Sequence, residues 1–140
     1  MSVLSAVTTY IKEFSELATG APVWVDYLGG DPTQYSVTPL PGAHIISEDI
    51  IGNTEREFPF AFQSTESTAD DLERLETANF YELFAMWLES QTKSGDFPTM
   101  EEGQYPTKIE ALGWGFLYEQ GVSDTGIYQI QCRLTYEQTA

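Results

Sequence analysis

The chain has 140 residues, enough for one domain (residues 1–140) with a substantial core. Its 22 acidic residues against 6 basic ones give a formal net charge of −16, which repels phosphate and anionic lipid and so argues against nucleic-acid or membrane-surface binding. Aromatic residues reach 14%, more large apolar surface than a disordered chain carries.

Ser2 is the expected N-cap of a first helix that runs to about Ala18 and is stopped by Gly20 and Pro22. Val3, Val7, Tyr10, Ile11, Phe14 and Leu17 recur at helical spacing and form one apolar stripe. Val23 to Leu28 reads as a short strand ended by Gly29-Gly30-Asp31-Pro32, Tyr35 to Leu40 as an extended segment, and Ala43 to Ser47 as another strand before a turn at Gly52-Asn53. Glu55 to Ser64 places Phe58, Phe60 and Phe62 on one face; Pro59 cannot donate to a ladder, so this strand is expected at an edge or with a bulge.

Ser67-Thr-Ala-Asp70 has the spacing of a capping box and opens a second helix, where Asp70, Asp71 and Glu73 suit the positive end of the dipole. Leu72, Leu75, Phe80, Leu83, Phe84, Trp87 and Leu88 are expected on one broad apolar face, and the helix fades near Ser94-Gly95. A loop from Asp96 to Thr107 leads to a strand from Ile109 to Tyr118, with Leu112, Trp114, Phe116 and Tyr118 on one face. Gly113 and Gly115 within it mark a bend or a close backbone approach.

From Gly126 to Gln138 the alternation is strict. Tyr128, Ile130, Cys132, Leu134 and Tyr136 point one way, and Gln129, Gln131, Arg133, Thr135 and Glu137 the other, as in a half-buried antiparallel strand. Turn formers from Glu119 to Gly126 make the last two strands a hairpin. The expected class is α+β, an antiparallel or mixed sheet packed against two helices in the order α-β-β-β-α-β-β. Val7, Ile11, Phe14, Leu83, Phe84 and Trp87 should bury themselves on the sheet face carrying Tyr128, Ile130, Cys132 and Leu134.

No catalytic, cofactor or metal residues are expected. His44 and Cys132 are the single histidine and single cysteine, too few for a zinc site and without a visible partner for nucleophilic chemistry. Carboxylate pairs such as Glu48-Asp49, Asp70-Asp71 and Glu101-Glu102 are common by chance among so many acids. No basic, apolar leader opens the sequence, and no segment reaches the roughly 20 apolar residues of a membrane-spanning helix. A cytoplasmic place of synthesis is expected.

Four stretches carry a resemblance: Tyr35-Ser-Val-Thr-Pro-Leu-Pro41, Arg56-Glu-Phe-Pro-Phe-Ala-Phe62, Asn79-Phe-Tyr-Glu-Leu-Phe-Ala-Met-Trp87 and Tyr128-Gln-Ile-Gln-Cys-Arg-Leu-Thr-Tyr136. They resemble the small phage and prophage minor capsid proteins of Gram-positive hosts, sometimes mislabelled chloramphenicol-resistance proteins. That label would imply an acetyltransferase with a paired-histidine motif, which the lone His44 does not provide. The order of elements is also similar to that of phage tail terminators. The resemblance implies a virion structural protein of the tail or neck that forms a homo-oligomeric, hexameric ring. Its implied partners are the tail tube protein, a head-completion or connector protein, and a sheath if the tail contracts. DNA is only passing cargo; no cofactor and no membrane are implied, and the location is a virion or tail particle assembled in the host cytoplasm.

Alternatives are another minor capsid or head–tail connector component, or an acidic adaptor or inhibitor that mimics DNA. For a ring, the segment Glu48 to Glu57 is the candidate interface. Ile50 and Ile51 would reach a neighbour or the tube, unless they tuck into the monomer's own core. Glu48, Asp49, Glu55 and Glu57 would line a DNA channel, unless they serve only to keep the surface soluble.

Overall fold

Two long strands, β4 (Thr54–Ser67) and β7 (Thr125–Gln138), pair antiparallel along their whole length and form the spine of the sheet. The computed structural model describes residues 2–42, 44–121 and 124–140; Ala43, where a strand was expected to start, and Val122 and Ser123 in the expected turn lie outside them. Before the spine come α1 (Val3–Ile11), β1 (Val23–Val25), β2 (Gln34–Pro39) and β3 (Ile45–Glu48). Between its two strands lie α2 (Asp71–Ser94), β5 (Gln104–Ala111) and β6 (Phe116–Gln120).

The class is α+β as expected, two helices and a mixed sheet of seven strands among the described residues, but the expected order lacks two of those strands. One reason is that the run read as a single strand, Ile109 to Tyr118, is split between β5, which starts inside the stretch read as a loop, and β6. Pro106 is tolerated because β5 is an edge strand with a bulge between Pro106 and Lys108. The other is that outer strands come in halves. The outer edge of β4 is shared by β2, from Gln34 opposite Thr65 to Pro39 opposite Phe60, and by β3, from Ile45 opposite Arg56 to Glu48 opposite Thr54. The outer edge of β7 is shared in the same way by β5 and β6, and β1 adds parallel to β2.

This division corrects the reading of Pro59. The residue lies in a central strand, not an edge one, opposite Arg133 of β7. Its carbonyl accepts from the Leu40 N–H at 2.9 Å, so its missing N–H lies on the β2 side, opposite Leu40, where the reciprocal bond of the pair cannot form and β2 ends. One ladder bond is forgone there, at the end of a partner strand and not in its middle.

One face of the sheet is aromatic and aliphatic. Register places Phe58, Phe60 and Phe62 opposite Leu134, Cys132 and Ile130, and both helices cover that face. The alternation of β7 is borne out, since Tyr128, Ile130, Cys132, Leu134 and Tyr136 are all buried. Val7, Tyr10, Ile11 and Phe14 come down from α1; Tyr81, Phe84 and Leu88 come from α2. Tyr81 keeps its hydroxyl satisfied in the core, 2.7 Å from Ser64 Oγ and donating to the Tyr128 carbonyl at 3.3 Å.

Both helix starts use side-chain caps. Ser2 accepts from the Ser5 N–H, as expected, but α1 ends at Ile11 and not near Ala18. Bonds from the Glu13 N–H to the Tyr10 carbonyl and from the Phe14 N–H to the Ile11 carbonyl tighten the chain into a 3₁₀-like turn, which aims Phe14 into the core. The cap of α2 is Asp70, whose carboxylate accepts from the Glu73 N–H at 2.8 Å. Ser67 still belongs to β4, and its hydroxyl donates to the Glu73 carboxylate. Gly95, at φ +74°, ends α2 in the left-handed conformation that glycine adopts without strain.

Leu72, Leu75 and Leu83 do not join the core: all three are exposed, and Trp87 sits half-buried against Tyr10, Phe14 and Phe84. The buried stripe of α2 is narrower, namely Thr77, Tyr81, Phe84 and Leu88.

Glu66 stands at the end of β4, accepting from the Thr33 hydroxyl at 3.0 Å. Desolvation raises its pKa, against the lowering effect of hydrogen bonds from Ser64 and Thr33. A carboxyl whose folded pKa is raised holds its proton more tightly in the folded state. The stability that this gives is fully present below the unfolded pKa and is lost as pH rises through the folded one. Glu66→Gln keeps an acceptor for Thr33 and removes the charge, so its stability advantage over the parent should open as pH rises from 4 to 7. Paired urea melts at several pH values check this; a constant difference, or a variant weaker at pH 7, contradicts it.

Candidate assembly surfaces

The β3–β4 hairpin turns at Asp49–Asn53, and Asp49 builds the turn. Its Oδ1 accepts from the Ile51 and Asn53 N–H groups, each at 3.0 Å, and its Oδ2 from the Asn53 side-chain amide at 3.1 Å. Partial desolvation would raise its pKa, but the hydrogen bonds from Asn53, Ile51 and Gly52 outweigh it and hold the carboxyl below its ordinary value. Gly52, at φ +92°, takes the left-handed position of the turn.

A carboxylate committed to its own turn leaves the neighbouring side chains to point outward. Ile50 is fully exposed and Ile51 is 72% exposed. Ile45 and Ile46 on β3 are about half-exposed, so four isoleucines stand on one hairpin outside the core. The alternative that Ile50 and Ile51 tuck into the monomer is thereby removed.

The four expected channel carboxylates are not brought together. Glu55 and Glu57 point to the sheet face away from the helices, Glu48 is opposite Thr54 on the helix-side face, and Asp49 is held in the turn. Glu57 lies 3.5 Å from Arg133, which also reaches Glu110 at 3.2 Å. Of these four, Glu48 and Glu55 are exposed and have no ion pair or side-chain hydrogen bond among the described residues.

A second surface lies on the opposite edge of the sheet. The run read as one strand from Ile109 to Tyr118 is broken after β5, and Leu112 to Gly115 crosses to β6. The close approach expected of the glycines belongs to Gly115: a Cβ there would fall 2.4 Å from Tyr81 Cβ on α2, whereas one at Gly113 would meet nothing within 4 Å. With the bridge pressed onto α2 at Gly115, Leu112 and Trp114 are left at the surface. They and Met86 border a groove of about 760 Å³ between α2 and β5. Phe116, Leu117 and Tyr118 continue the exposed apolar edge along β6.

Sequence reasoning missed the outward stripe of α2. Leu72, Leu75, Leu83 and Met86 are exposed and recur at helical spacing on the side opposite Thr77, Tyr81, Phe84 and Leu88. The signal was present: the expected apolar face was too wide for one stripe and separates into two, the second completed by Met86.

His44 is exposed, and its carbonyl accepts from the Glu57 N–H. Cys132 is fully buried, and that burial pushes its thiol pKa up, away from reactive thiolate. Among the described residues no group of three or more His, Cys, Asp or Glu side chains is arranged to hold a metal ion. Among the described residues no helix is long and apolar enough to cross a membrane. The sheet face away from the helices is polar, with the Gln63 amide donating to Gln129 Oε1 at 2.9 Å. Compared with known proteins, the chain matches no family model and no curated protein.

Proposed function

We propose that this chain is a tail terminator of a phage or phage-derived particle, a ring component at the head-proximal end of the tail tube. It works by surface matching: copies of itself on either side, the tube below, the head connector above, a sheath where the tail contracts, and DNA as cargo passing through. The observation that carries the reading is the β3–β4 hairpin. Ile45, Ile46, Ile50 and Ile51 stand in water on a strand pair whose outer edge at β3 has no partner among the described residues. The edge itself is short, carries Glu48 and shifts register between Ile45 and Ser47, which blunts it; it is the four bare isoleucines that a monomeric protein has no reason to display. The resemblance of the four packing stretches to minor capsid proteins supplies the particle, and the acidic surface suits a conduit to which DNA does not adhere.

Expected results follow from the exposure. The purified chain should form rings visible by negative-stain microscopy. Ile50→Ser with Ile51→Ser should leave a folded monomer, because substitutions at exposed positions change stability by only about 0.5 kcal/mol. Size-exclusion chromatography with light scattering reads both. A parent chain that stays monomeric and instead captures a DNA-binding enzyme, displaced by duplex DNA, would favour the DNA-mimic reading.

A further inference from the structure

The outward face of α2 carries an apolar stripe that the sheet does not cover. Leu72, Leu75, Leu83 and Met86 stand on it, 44% to 65% exposed, along about 21 Å of helix at 1.5 Å per residue. We propose that this face binds a basic amphipathic helix of a different protein. The stripe lies on another element than the β3–β4 hairpin, so its occupancy goes beyond the ring reading and does not depend on it.

Charge defines the occupant. Glu76 borders the stripe on one side, and Asp71, Glu82 and Glu89 border it on the other. Over its whole length α2 carries five carboxylates against Arg74 and Lys93. Arg74 turns back to the Thr68 carbonyl and Asp71, and Lys93 reaches Glu89 at 3.3 Å. Glu76 and Glu82 are exposed and have no ion pair or side-chain hydrogen bond among the described residues. The acidic excess continues on either side. Beyond Glu76 a hollow of about 290 Å³ is lined by Glu16, Glu66, Glu73 and Glu76, with no basic residue. Beyond Glu82 the groove toward β5 holds Glu82, Glu89 and Glu110 against Lys93 and Lys108. A helix whose own apolar stripe is flanked by lysine or arginine answers both features. Its apolar side chains pack between those of the α2 stripe, and its cations meet the carboxylates on either side.

A second copy does not supply such a helix. The six basic residues of the chain are Lys12, Arg56, Arg74, Lys93, Lys108 and Arg133. No element carries more than the two of α2, which are about five turns apart. Packed stripe to stripe, two copies of α2 would set carboxylates against carboxylates in either direction, because both flanks are acidic. A face that repels its own copy, nucleic acid and anionic lipid selects a cationic protein.

The test titrates the full chain into a fluorescent model helix of about 20 residues, with leucines at i, i+3, i+4 and i+7 and lysines beside them. A scrambled peptide of the same composition reads attraction to net charge alone, and a version with glutamate for lysine reads the apolar stripe alone. Anisotropy should show saturable binding at least about tenfold tighter than for either control, weakened by salt. Leu75→Ala with Leu83→Ala keeps good helix formers at exposed positions and should weaken binding by about tenfold or more. Glu76→Gln with Glu82→Gln, nearly unchanged in shape, should weaken it about fivefold and flatten its salt dependence. No saturable binding, equal binding of the scrambled peptide, or a leucine or carboxylate variant that binds as tightly as the parent overturns the proposal. A leucine variant that loses the parent's self-assembly with no peptide present overturns it too, because α2 would then be a contact between copies. Stripe-dependent binding by a chain that forms no rings leaves this proposal standing and removes the ring reading.

Discussion

Phe62→Ala should be the most damaging single truncation in this protein, costing about 3–5 kcal/mol. Phe62 is fully buried in the middle of β4, where its ring stacks on Phe84 of α2 at 4.5 Å and on Tyr35 of β2 at 5.6 Å. Phe80 and Tyr81 complete the cage at 6.2 and 6.0 Å. Removing the ring deletes its own burial and leaves a void that a sheet and a helix cannot close, because each is fixed by its other contacts. Against a total stability of about 5–15 kcal/mol this is a large fraction. The urea midpoint should fall by about 2 M with an unchanged slope, taking a slope of about 2 kcal/mol per molar. Trp87→Ala, at the half-buried margin of the same cluster, should cost clearly less; the reverse ranking would mean that the centre of the core has been misplaced.

Gly115→Ala should cost about 1–3 kcal/mol, and Gly113→Ala close to nothing. The two glycines are separated only by Trp114, so composition and chain entropy nearly cancel in the comparison. They differ in what a methyl group would meet. At Gly115 it overlaps Tyr81 Cβ and Cγ, atoms of a fully buried side chain whose hydroxyl is bonded to Ser64 and Tyr128. Relief requires α2 to lift or the bridge between β5 and β6 to move away, and either motion opens packing around Tyr81. At Gly113 the space is empty. Thermal or urea melts of the two variants decide it: equal stabilities would show that the bridge is not pressed onto the helix.

The parts of the fold visible in sequence are those where one residue type answers to one local requirement. The final strand declares itself because its two faces meet different solvents, and Gly95 marks the end of α2 because few other residues take its backbone angle. Strand partnership is a different matter. Pro59 looks like an edge residue, since a proline needs a place where its missing donor does little harm; the end of β2 supplies that place inside the sheet, and no local pattern announces where a neighbour stops. The second apolar stripe of α2 merged with the first because both lie on one continuous helix, and only the sheet beneath decides which is covered. For the tip, sequence leaves Ile50 and Ile51 between reaching a neighbour and tucking into the core. Their exposure depends on Asp49 claiming the backbone amides and on nothing else folding over them, and the second condition is set by the whole chain.

The pairing of β4 with β7 has a consequence in time. The β3–β4 hairpin closes over a short turn and the ends of β6 and β7 are also near in sequence, so both can form early. The spine joining them must wait, since α2, β5 and β6 lie between its two strands, and closing a long loop costs entropy before any contact repays it. During synthesis β4 leaves the ribosome with β2 and α2 able to cover its aromatic face, but the edge that pairs with β7 stays open until β7 has been made. That interval, with a long strand edge unpaired, is when a chaperone or a wrong neighbour would find this chain.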